Sequence, residues 1–314
     1  MNILVYHPSN EALAVWLRGM RLRLPNAAVR PWQQGDREKA EYAIVRKPPL
    51  ELLHAREGLK AVFSMAAGVD DIMDLLRAHP DALPATVPLF RLEDAGMARQ
   101  MQEYAVYAAL GWYRRFAAYK SQQAHAEWKP LDVAPRKAFV IGILGAGVLG
   151  RAVAEALLPW DFSLRCWSRS PKQFASVSSF HGPGQMDSFL NGVNVLVNLL
   201  PATPATEGII NRSLLARLAP GALVVNMARG AHVVEADLLA ALDAGEIGGA
   251  VLDAFVREPL PKDHPFWSDS RIAITPHVAA QTLPDESMDI IARAICELES
   301  GNMPSGRVNM NAGY

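Results

Sequence analysis

The stretch that most limits the fold of this chain is VIGILGAGVLGRAV, residues 140–153. An uncharged apolar run leads into three glycines spaced G-x-G-x-x-G, and apolar residues at helical spacing follow. This order predicts a buried strand, a tight turn and a helix that packs back on the strand. A chain built on such units is expected to form a parallel sheet covered by helices on both faces.

The same alternation of short apolar runs and helix-period runs continues through the chain. The predicted strands of the later part are Phe139–Leu144, Ser163–Trp167, Asn194–Leu199, Leu223–Asn226, Ala250–Asp253 and Ile272–Thr275, and its predicted helices are Val148–Leu158, Arg212–Leu218 and Glu235–Ala244. The predicted strands of the first hundred residues are Ile3–Tyr6, Tyr42–Val45, Ala61–Phe63 and Val87–Leu89. Because 314 residues exceed what one core usually holds, we predict an α/β fold with two domains, a Rossmann-type doubly wound parallel sheet and a smaller flavodoxin-like α/β domain.

Composition excludes several classes of function. The chain has 31 basic and 32 acidic residues and a formal net charge of −1, so no overall field favours nucleic acid or an anionic membrane. Its longest uncharged apolar run, Ala138 to Gly150, is shorter than the roughly 20 residues of a bilayer span. Two cysteines, Cys166 and Cys296, make no disulfide framework, which fits a reducing cytoplasm.

The glycine turn predicts a dinucleotide site. Gly145 allows the tight turn, Gly147 lets the backbone approach a pyrophosphate, and Gly150 lets helix and strand pack closely. The N–H groups at the helix start, with the positive end of the helix dipole, would face the phosphates. The predicted phosphate-binding residues are Gly145, Ala146, Gly147, Val148, Leu149 and Gly150. A purely structural glycine turn is the alternative.

The residues after the second strand favour NADPH over NADH. NAD sites place a carboxylate about 20 residues beyond the glycines, to bind the ribose hydroxyls. Here Ser168, Arg169 and Ser170 follow the strand, and the nearest acid, Asp161, precedes it. A guanidinium can bind a 2′-phosphate through several donors. The alternative is that Arg169 and Lys172 are solvated loop charges.

Three later residues have the chemistry of 2-oxo acid reduction. Arg229, Glu258 and His277 lie in loops after predicted strands, where the ligand crevice of an open α/β sheet forms. Arg229 can bind a carboxylate and polarise a carbonyl, and His277 can donate a proton near neutral pH. Glu258 can orient the imidazole and favour its protonated form. No residue is assigned to a metal.

The motifs together resemble the D-isomer-specific 2-hydroxyacid dehydrogenase family, and within it the glyoxylate/hydroxypyruvate reductase A branch. The resemblance runs nearly end to end. The stretches that carry it are AVFSMAAGVDDI, PLFRLEDAGMARQMQEYAV, IGILGAGVLG, LRCWSRS, NLLPATPATEGIIN, NMARGAHVVEADLLAALDAGEI, LDAFVREPLP and ITPHVAA. The family's catalytic Arg, Glu and His then correspond to Arg229, Glu258 and His277.

The resemblance also implies further site residues. Leu200 and Pro201 would flank the nicotinamide-side ribose, and Ala228 and Asp253 would hold the carboxamide. The substrate loop of the family corresponds to residues 64–70, in which the amides of Ala67 and Gly68 would bind the substrate carboxylate together with Arg229. Ala66 replaces the first glycine of that pattern, so a positive φ there would be strained. Alternatively the loop is a strand-to-helix turn with Asp70 as N-cap.

The resemblance implies a substrate domain of residues 1–100 and 285–314 and a dinucleotide-binding domain of residues 101–284. It also implies a homodimer paired through the nucleotide domain and a long helix over residues 97–123. The implied enzyme is an NADPH-dependent reductase of glyoxylate and hydroxypyruvate, with NADH used less well. The alternatives are a dehydrogenase of larger D-2-hydroxy acids and a dinucleotide-sensing protein without catalysis.

Overall fold

The structure, a computed structural model, describes residues 1–54, 56 and 58–314. Contacts divide the chain into two units, residues 1–96 with 282–314 and residues 97–281. The predicted boundaries at 100/101 and 284/285 lie inside helices. The observed changeovers lie at or just before the helix starts, because a helix is one rigid element whose apolar face packs on a single core.

The first unit begins with β1 (Asn2–Tyr6), α1 (Asn10–Arg23), β2 (Ala28–Pro31), β3 (Tyr42–Val45), α2 (Leu50–Leu53), β4 (Ala61–Ser64), α3 (Asp70–Ala78) and β5 (Leu89–Phe90). The second unit opens with α4 (Met97–Tyr113), α5 (Phe116–Ala124), β6 (Val140–Leu144), α6 (Val148–Leu157), β7 (Ser163–Ser168), β8 (Ser178–His181) and α7 (Met186–Leu190). It continues with β9 (Val195–Asn198), α8 (Arg212–Leu215), β10 (Ala222–Asn226), α9 (Glu235–Asp243), β11 (Ile247–Leu252) and β12 (Ile272–Ile274), and α10 (Pro284–Glu299) returns to the first unit.

Both sheets are parallel, and their strand orders confirm the predicted fold class. The five strands of the first unit run β2-β1-β3-β4-β5, which is the flavodoxin-like order. The seven strands of the second run β8-β7-β6-β9-β10-β11-β12, which is the Rossmann order with one added strand. In the second sheet the order reverses between β6 and β9, so the loops after these strands border a crevice.

Alternate residues of each strand pack on opposite faces of the second sheet. In β9, Val195 and Val197 pack with Val153 of α6, whereas Leu196 packs with Leu238 of α9 on the other face. Strands buried on both faces need continuous apolar runs, which is why the sequence showed them so clearly.

Helix α10 is part of the core of the first unit. Its residues Met288, Ile291 and Ile295 are fully or almost fully buried and pack with Trp16 and Met20 of α1. The terminal segment therefore completes one face of the first sheet, although the whole second unit separates it from that sheet in the sequence.

One predicted helix was wrong, and two edge strands were not predicted. The predicted helix 97–123 is two helices, because Arg115 adopts the left-handed conformation with φ +57° between α4 and α5. The edge strands β2 and β8 were missed, since β8 is mostly exposed and lacks an apolar run.

Among the described residues, none of the helices combines the length and apolarity needed to cross a bilayer.

Candidate functional site

The glycine turn between β6 and α6 has the shape of a phosphate cradle. Gly145 has φ +103°, and a Cβ there would lie 2.7 Å from the Leu199 carbonyl oxygen. A Cβ on Gly150 would lie 1.8 Å from the Gly145 carbonyl oxygen, whereas one on Gly147 meets no described atom within 4 Å. Two glycines thus allow close packing, and Gly147 faces open space that a methyl group would begin to fill.

The start of α6 is suited to an anion. Gly147 is the N-cap, and among the described residues no side chain caps this helix. A helix start without a side-chain acceptor presents backbone N–H groups and the positive end of the dipole. The residues of the turn therefore fit the pyrophosphate of a dinucleotide.

The loop after β7 is basic at its exposed tip. Ser168 Oγ donates to the Ser170 carbonyl oxygen over 2.7 Å, which closes a tight turn. Arg169, Ser170 and Lys172 are exposed. With no carboxylate at the end of β7, the charge of this turn fits a 2′-phosphate better than free ribose hydroxyls.

The predicted acid–base pair is in contact. His277 Nδ1 lies 3.0 Å from Glu258 Oε1 and 2.9 Å from Oε2, and both side chains are about two-fifths exposed. Glu258 Oε1 also accepts a hydrogen bond from the Phe255 N–H over 3.0 Å, which holds the carboxylate in place. An Nδ1–H directed at a carboxylate leaves Nε2 for another partner and stabilises a positive charge on the ring.

The loop that carries His277 is bound to Asp253. Asp253 is almost fully buried, and its Oδ1 accepts hydrogen bonds from Thr275 Oγ1 (2.6 Å) and the Val278 N–H (2.8 Å). Its Oδ2 accepts from the Ala279 N–H over 2.9 Å, and its carbonyl oxygen accepts from the His277 N–H over 2.8 Å. These bonds hold His277 at φ +55°, a conformation that favours glycine.

Sequence reasoning missed Tyr104, which extends this set of bonds to helix α4. Because Thr275 Oγ1 donates to Asp253, it accepts from the Tyr104 hydroxyl, 2.7 Å away. Burial raises the pKa of Tyr104 to about 12. The sequence signal that could have indicated Tyr104 is a polar side chain on the otherwise apolar face of helix α4.

Arg229 follows β10 directly. It is extended and half-buried, and its Nη1 donates to the Ala228 carbonyl oxygen over 2.8 Å. A Cβ on the next residue, Gly230, would lie 1.8 Å from the Phe255 carbonyl carbon, so this backbone packs on the loop that leads to Glu258. Close packing at Gly230 is therefore what brings the Arg229 loop against the Glu258 loop.

The segment that follows β9 is held by buried polar side chains. Leu200 is buried and its N–H donates to Asn198 Oδ1 over 3.2 Å, while His232 Nε2 lies 3.2 Å from the Pro201 carbonyl oxygen. Asn226 joins the same set of hydrogen bonds. Asn198, Asn226 and His232 were missed, although an asparagine at the end of each of two buried strands was a usable signal.

In the first unit, residues 64–70 form the turn from β4 to α3. Ser64 Oγ accepts from the Ala66 N–H over 3.1 Å, and Ala66 is not among the described residues with positive φ. The strain considered for Ala66 is therefore absent. Asp70 is the first residue of α3 and Val69 is the N-cap, so the N-cap alternative was wrong. The roles of Ala67 and Gly68, both half-buried, stay predictions.

Comparison with known proteins gives concordant findings. The family model described as D-isomer specific 2-hydroxyacid dehydrogenase, NAD binding domain, matches residues 106–279. The chain is 55% identical over 314 residues to the glyoxylate/hydroxypyruvate reductase A of Serratia proteamaculans (strain 568), and the match covers all of both proteins.

Two solved structures are similar over the whole chain. The D-isomer specific 2-hydroxyacid dehydrogenase from Xanthobacter autotrophicus Py2, in complex with NADPH and MES, has 34% identity and a TM-score of 0.91, covering 100% of this chain and 99% of that one. The NADPH-dependent glyoxylate/hydroxypyruvate reductase from Sinorhizobium meliloti, in complex with NADP and sulfate, has 32% identity and a TM-score of 0.88 with the same coverage.

Proposed function

Because the chain belongs to the D-isomer-specific 2-hydroxyacid dehydrogenase family, we propose that it reduces small 2-oxo acids with NADPH, glyoxylate to glycolate and hydroxypyruvate to D-glycerate. The 55% identity to a full-length glyoxylate/hydroxypyruvate reductase A supports the reaction. The observation that carries the chemistry is the contact of His277 Nδ1 with both oxygens of Glu258 at 2.9 and 3.0 Å.

NADPH supplies the hydride when it is bound. The turn from Gly145 to Gly150 would bind the pyrophosphate through its amides, and Arg169 with Ser168 and Ser170 would bind the 2′-phosphate. Leu200 and Pro201 would flank the nicotinamide-side ribose. Ala228 and Asp253 would hold the carboxamide. The relatives solved with NADPH or NADP support this choice of cofactor over NADH.

His277 is proposed to protonate the substrate, and Arg229 to bind it. As hydride adds to the carbonyl carbon, the C=O π electrons move to oxygen, and that oxygen takes the proton from His277 Nε2. Glu258 accepts the Nδ1–H bond throughout and stabilises the imidazolium before the transfer. Arg229 binds the substrate carboxylate and stabilises the charge that develops on the carbonyl oxygen. In the first unit, the amides of Ala67 and Gly68 are proposed as substrate-binding groups.

We assign dinucleotide binding to the second unit, and the family match to residues 106–279 supports this. The first unit is assigned to the substrate. A homodimer is proposed through the nucleotide-binding unit and the 97–123 segment, in which Tyr107 is 81% and Phe116 57% exposed; Trp128, which follows α5, is 99% exposed. Light scattering of the Trp128→Glu variant should then show a monomer, and an unchanged dimer would contradict this interface.

The free thiols Cys166 and Cys296 fit a cytoplasmic location.

The first experiment measures initial rates with glyoxylate, hydroxypyruvate and pyruvate, each with NADPH and with NADH. We expect the highest kcat/KM with NADPH as the cofactor and glyoxylate or hydroxypyruvate as the substrate. For Arg169→Ala we expect the KM for NADPH to rise about 10- to 100-fold with little change for NADH, since a charge-assisted contact is lost. No turnover of any of these acids would contradict the reductase and favour a dinucleotide sensor.

A second experiment tests the proton donor. For His277→Asn we expect kcat to fall about 100- to 10,000-fold. His264 is a matched control in the same unit, because its Nε2 also lies near a carboxylate, 3.3 Å from Glu235 Oε2. His264→Asn should retain turnover. Equal losses in both variants would remove His277 from the proposed chemistry.

A further inference from the structure

Three fully buried polar side chains meet at the carboxyl end of the second sheet. Asn198, Asn226 and His232 are all 0% exposed. Asn198 ends β9, Asn226 ends β10, and the two are register partners across the parallel ladder. His232 ends the short 3₁₀ turn Gly230–His232 that follows Arg229. Buried polar groups are costly unless every hydrogen bond is made.

The backbone determines the orientation of both amides. Asn226 Oδ1 accepts from the Ala228 N–H (3.3 Å), and its Nδ2 donates to the Arg229 carbonyl oxygen (2.9 Å). Asn198 Oδ1 accepts from the Leu200 N–H (3.2 Å). The Asn198 Nδ2 therefore carries the hydrogens, and it donates one to Asn226 Oδ1 over 2.9 Å.

These orientations assign the tautomer of His232. The other hydrogen of Asn198 Nδ2 points to His232 Nδ1, 2.9 Å away, so Nδ1 is an acceptor. Nε2 then carries the proton and donates to the Pro201 carbonyl oxygen over 3.2 Å. The ring is neutral, because a second proton on Nδ1 would set two donors against each other at 2.9 Å.

The network joins two loops that have different tasks in the proposed function. One end holds the Leu200 N–H and the Pro201 carbonyl, in the segment assigned to the nicotinamide-side ribose. The other holds the Ala228 N–H and the Arg229 carbonyl, in the segment that carries the substrate-binding guanidinium. The side chains of Asn198, Asn226 and His232 link the two ends, beside the backbone hydrogen bond from the Met227 N–H to the Asn198 carbonyl oxygen (3.3 Å).

We infer that His232 is a positioning residue that, as a neutral Nε2–H imidazole, couples the Pro201 turn to the Arg229 loop through the Asn198–Asn226 amide pair. This inference rests on the proposed function of Arg229 and Pro201. His232 contacts neither substrate nor cofactor in this scheme. Its effect is to keep the guanidinium and the ribose-side backbone in one relative arrangement, and misplacement by about 1 Å can cost about 100-fold in rate.

Three variants separate the two bonds of the ring. His232→Asn keeps an acceptor near the Nδ1 position, His232→Gln keeps a donor near the Nε2 position, and His232→Phe keeps neither. A stability control is Asn194→Ala, which removes the acceptor of the Val140 N–H (2.9 Å) at the amino end of the same sheet. Each variant is assayed for NADPH binding by fluorescence titration, for kcat and KM with glyoxylate, and for Tm.

We expect His232→Phe to lower kcat about 30- to 100-fold and to weaken NADPH binding about tenfold. His232→Gln should restore NADPH binding more than turnover, and His232→Asn the reverse. Asn194→Ala should lower Tm but keep kcat within about twofold. The Asn and Gln variants each keep one of the two ring hydrogen bonds, so they still test the inference if the Phe variant fails to fold. Equal kcat and equal NADPH affinity in the Gln and Asn variants and wild type would overturn the inference.

The tautomer gives a readout that does not depend on catalysis. Nitrogen-15 NMR of the wild-type protein without cofactor should show His232 as the neutral Nε2–H form, and the Nδ1–H or doubly protonated form at pH 7 would refute the assignment. Failure of the wild-type protein to reduce glyoxylate with NADPH would contradict the proposed function alone, because NMR and NADPH binding still report on the network.

Discussion

The hydroxyl of Thr275 is expected to hold the loop that carries His277. Thr275→Val keeps the shape of the side chain but removes its hydrogen bond to the buried Asp253 carboxylate, which measures 2.6 Å. Hydrogen bonds to charged groups contribute about 1.5–3 kcal/mol. The variant also leaves the half-buried Tyr104 hydroxyl without its acceptor, at a further cost of about 1–3 kcal/mol.

We therefore expect Thr275→Val to lower the free energy of unfolding by about 3 kcal/mol or more. For a unit of this size that corresponds to a Tm lowered by about 6–12 °C. Because the same loop sets His277 against Glu258, kcat with glyoxylate should fall about tenfold or more. Calorimetry and steady-state rates on the purified variant measure both effects.

Tyr104→Phe is the matched control. It removes the hydrogen bond between the uncharged Tyr104 and Thr275 hydroxyls and leaves the bond from Thr275 to Asp253. It should cost about 1 kcal/mol and keep most of the turnover. The double variant should be little worse than Thr275→Val alone, because both changes act on one network. A Tm for Thr275→Val within about 2 °C of wild type, or a Tyr104→Phe variant that is equally costly, would refute the reasoning.

Three further results are expected. Gly147→Ala should keep the wild-type Tm, because a Cβ at residue 147 meets open space, and it should weaken NADPH binding by filling that space. Gly150→Ala should lower Tm, because its Cβ would meet a carbonyl oxygen at 1.8 Å. A lowered Tm for Gly147→Ala together with an unchanged Tm for Gly150→Ala would contradict the proposed phosphate cradle. Burial raises the pKa of the Cys166 thiol to about 12, so iodoacetamide at pH 8 should label the exposed Cys296 and spare Cys166, as peptide mass spectrometry would show. The pKa of Tyr104 is raised to about 12, so its contribution to stability is complete below about pH 10 and is lost as pH rises to about 12; Tyr104→Phe should show a smaller decline of Tm over that range.

The fold class and the glycine turn could be predicted because they depend on local patterns. Apolar runs such as Val140–Leu144 and Val195–Asn198 are dictated by burial on both faces of a parallel sheet. The glycine spacing at 145–150 is dictated by backbone contacts within one turn. Where local signals were weak, as in the exposed strand Ser178–His181 or the break at Arg115, prediction from the pattern was wrong.

The sequence by itself determined the parallel α/β architecture and the residue types in the loops after the strands, including His277 and Glu258. Only the tertiary structure decided that the Asp253 carboxylate holds the His277 loop, and that Asn198 and Asn226 end neighbouring strands with His232 between their loops. The physical reason is that these hydrogen bonds join residues 22 to 34 positions apart. A local pattern reports which side chains are buried or turn-forming, but the partner of a buried polar group depends on which strands lie side by side.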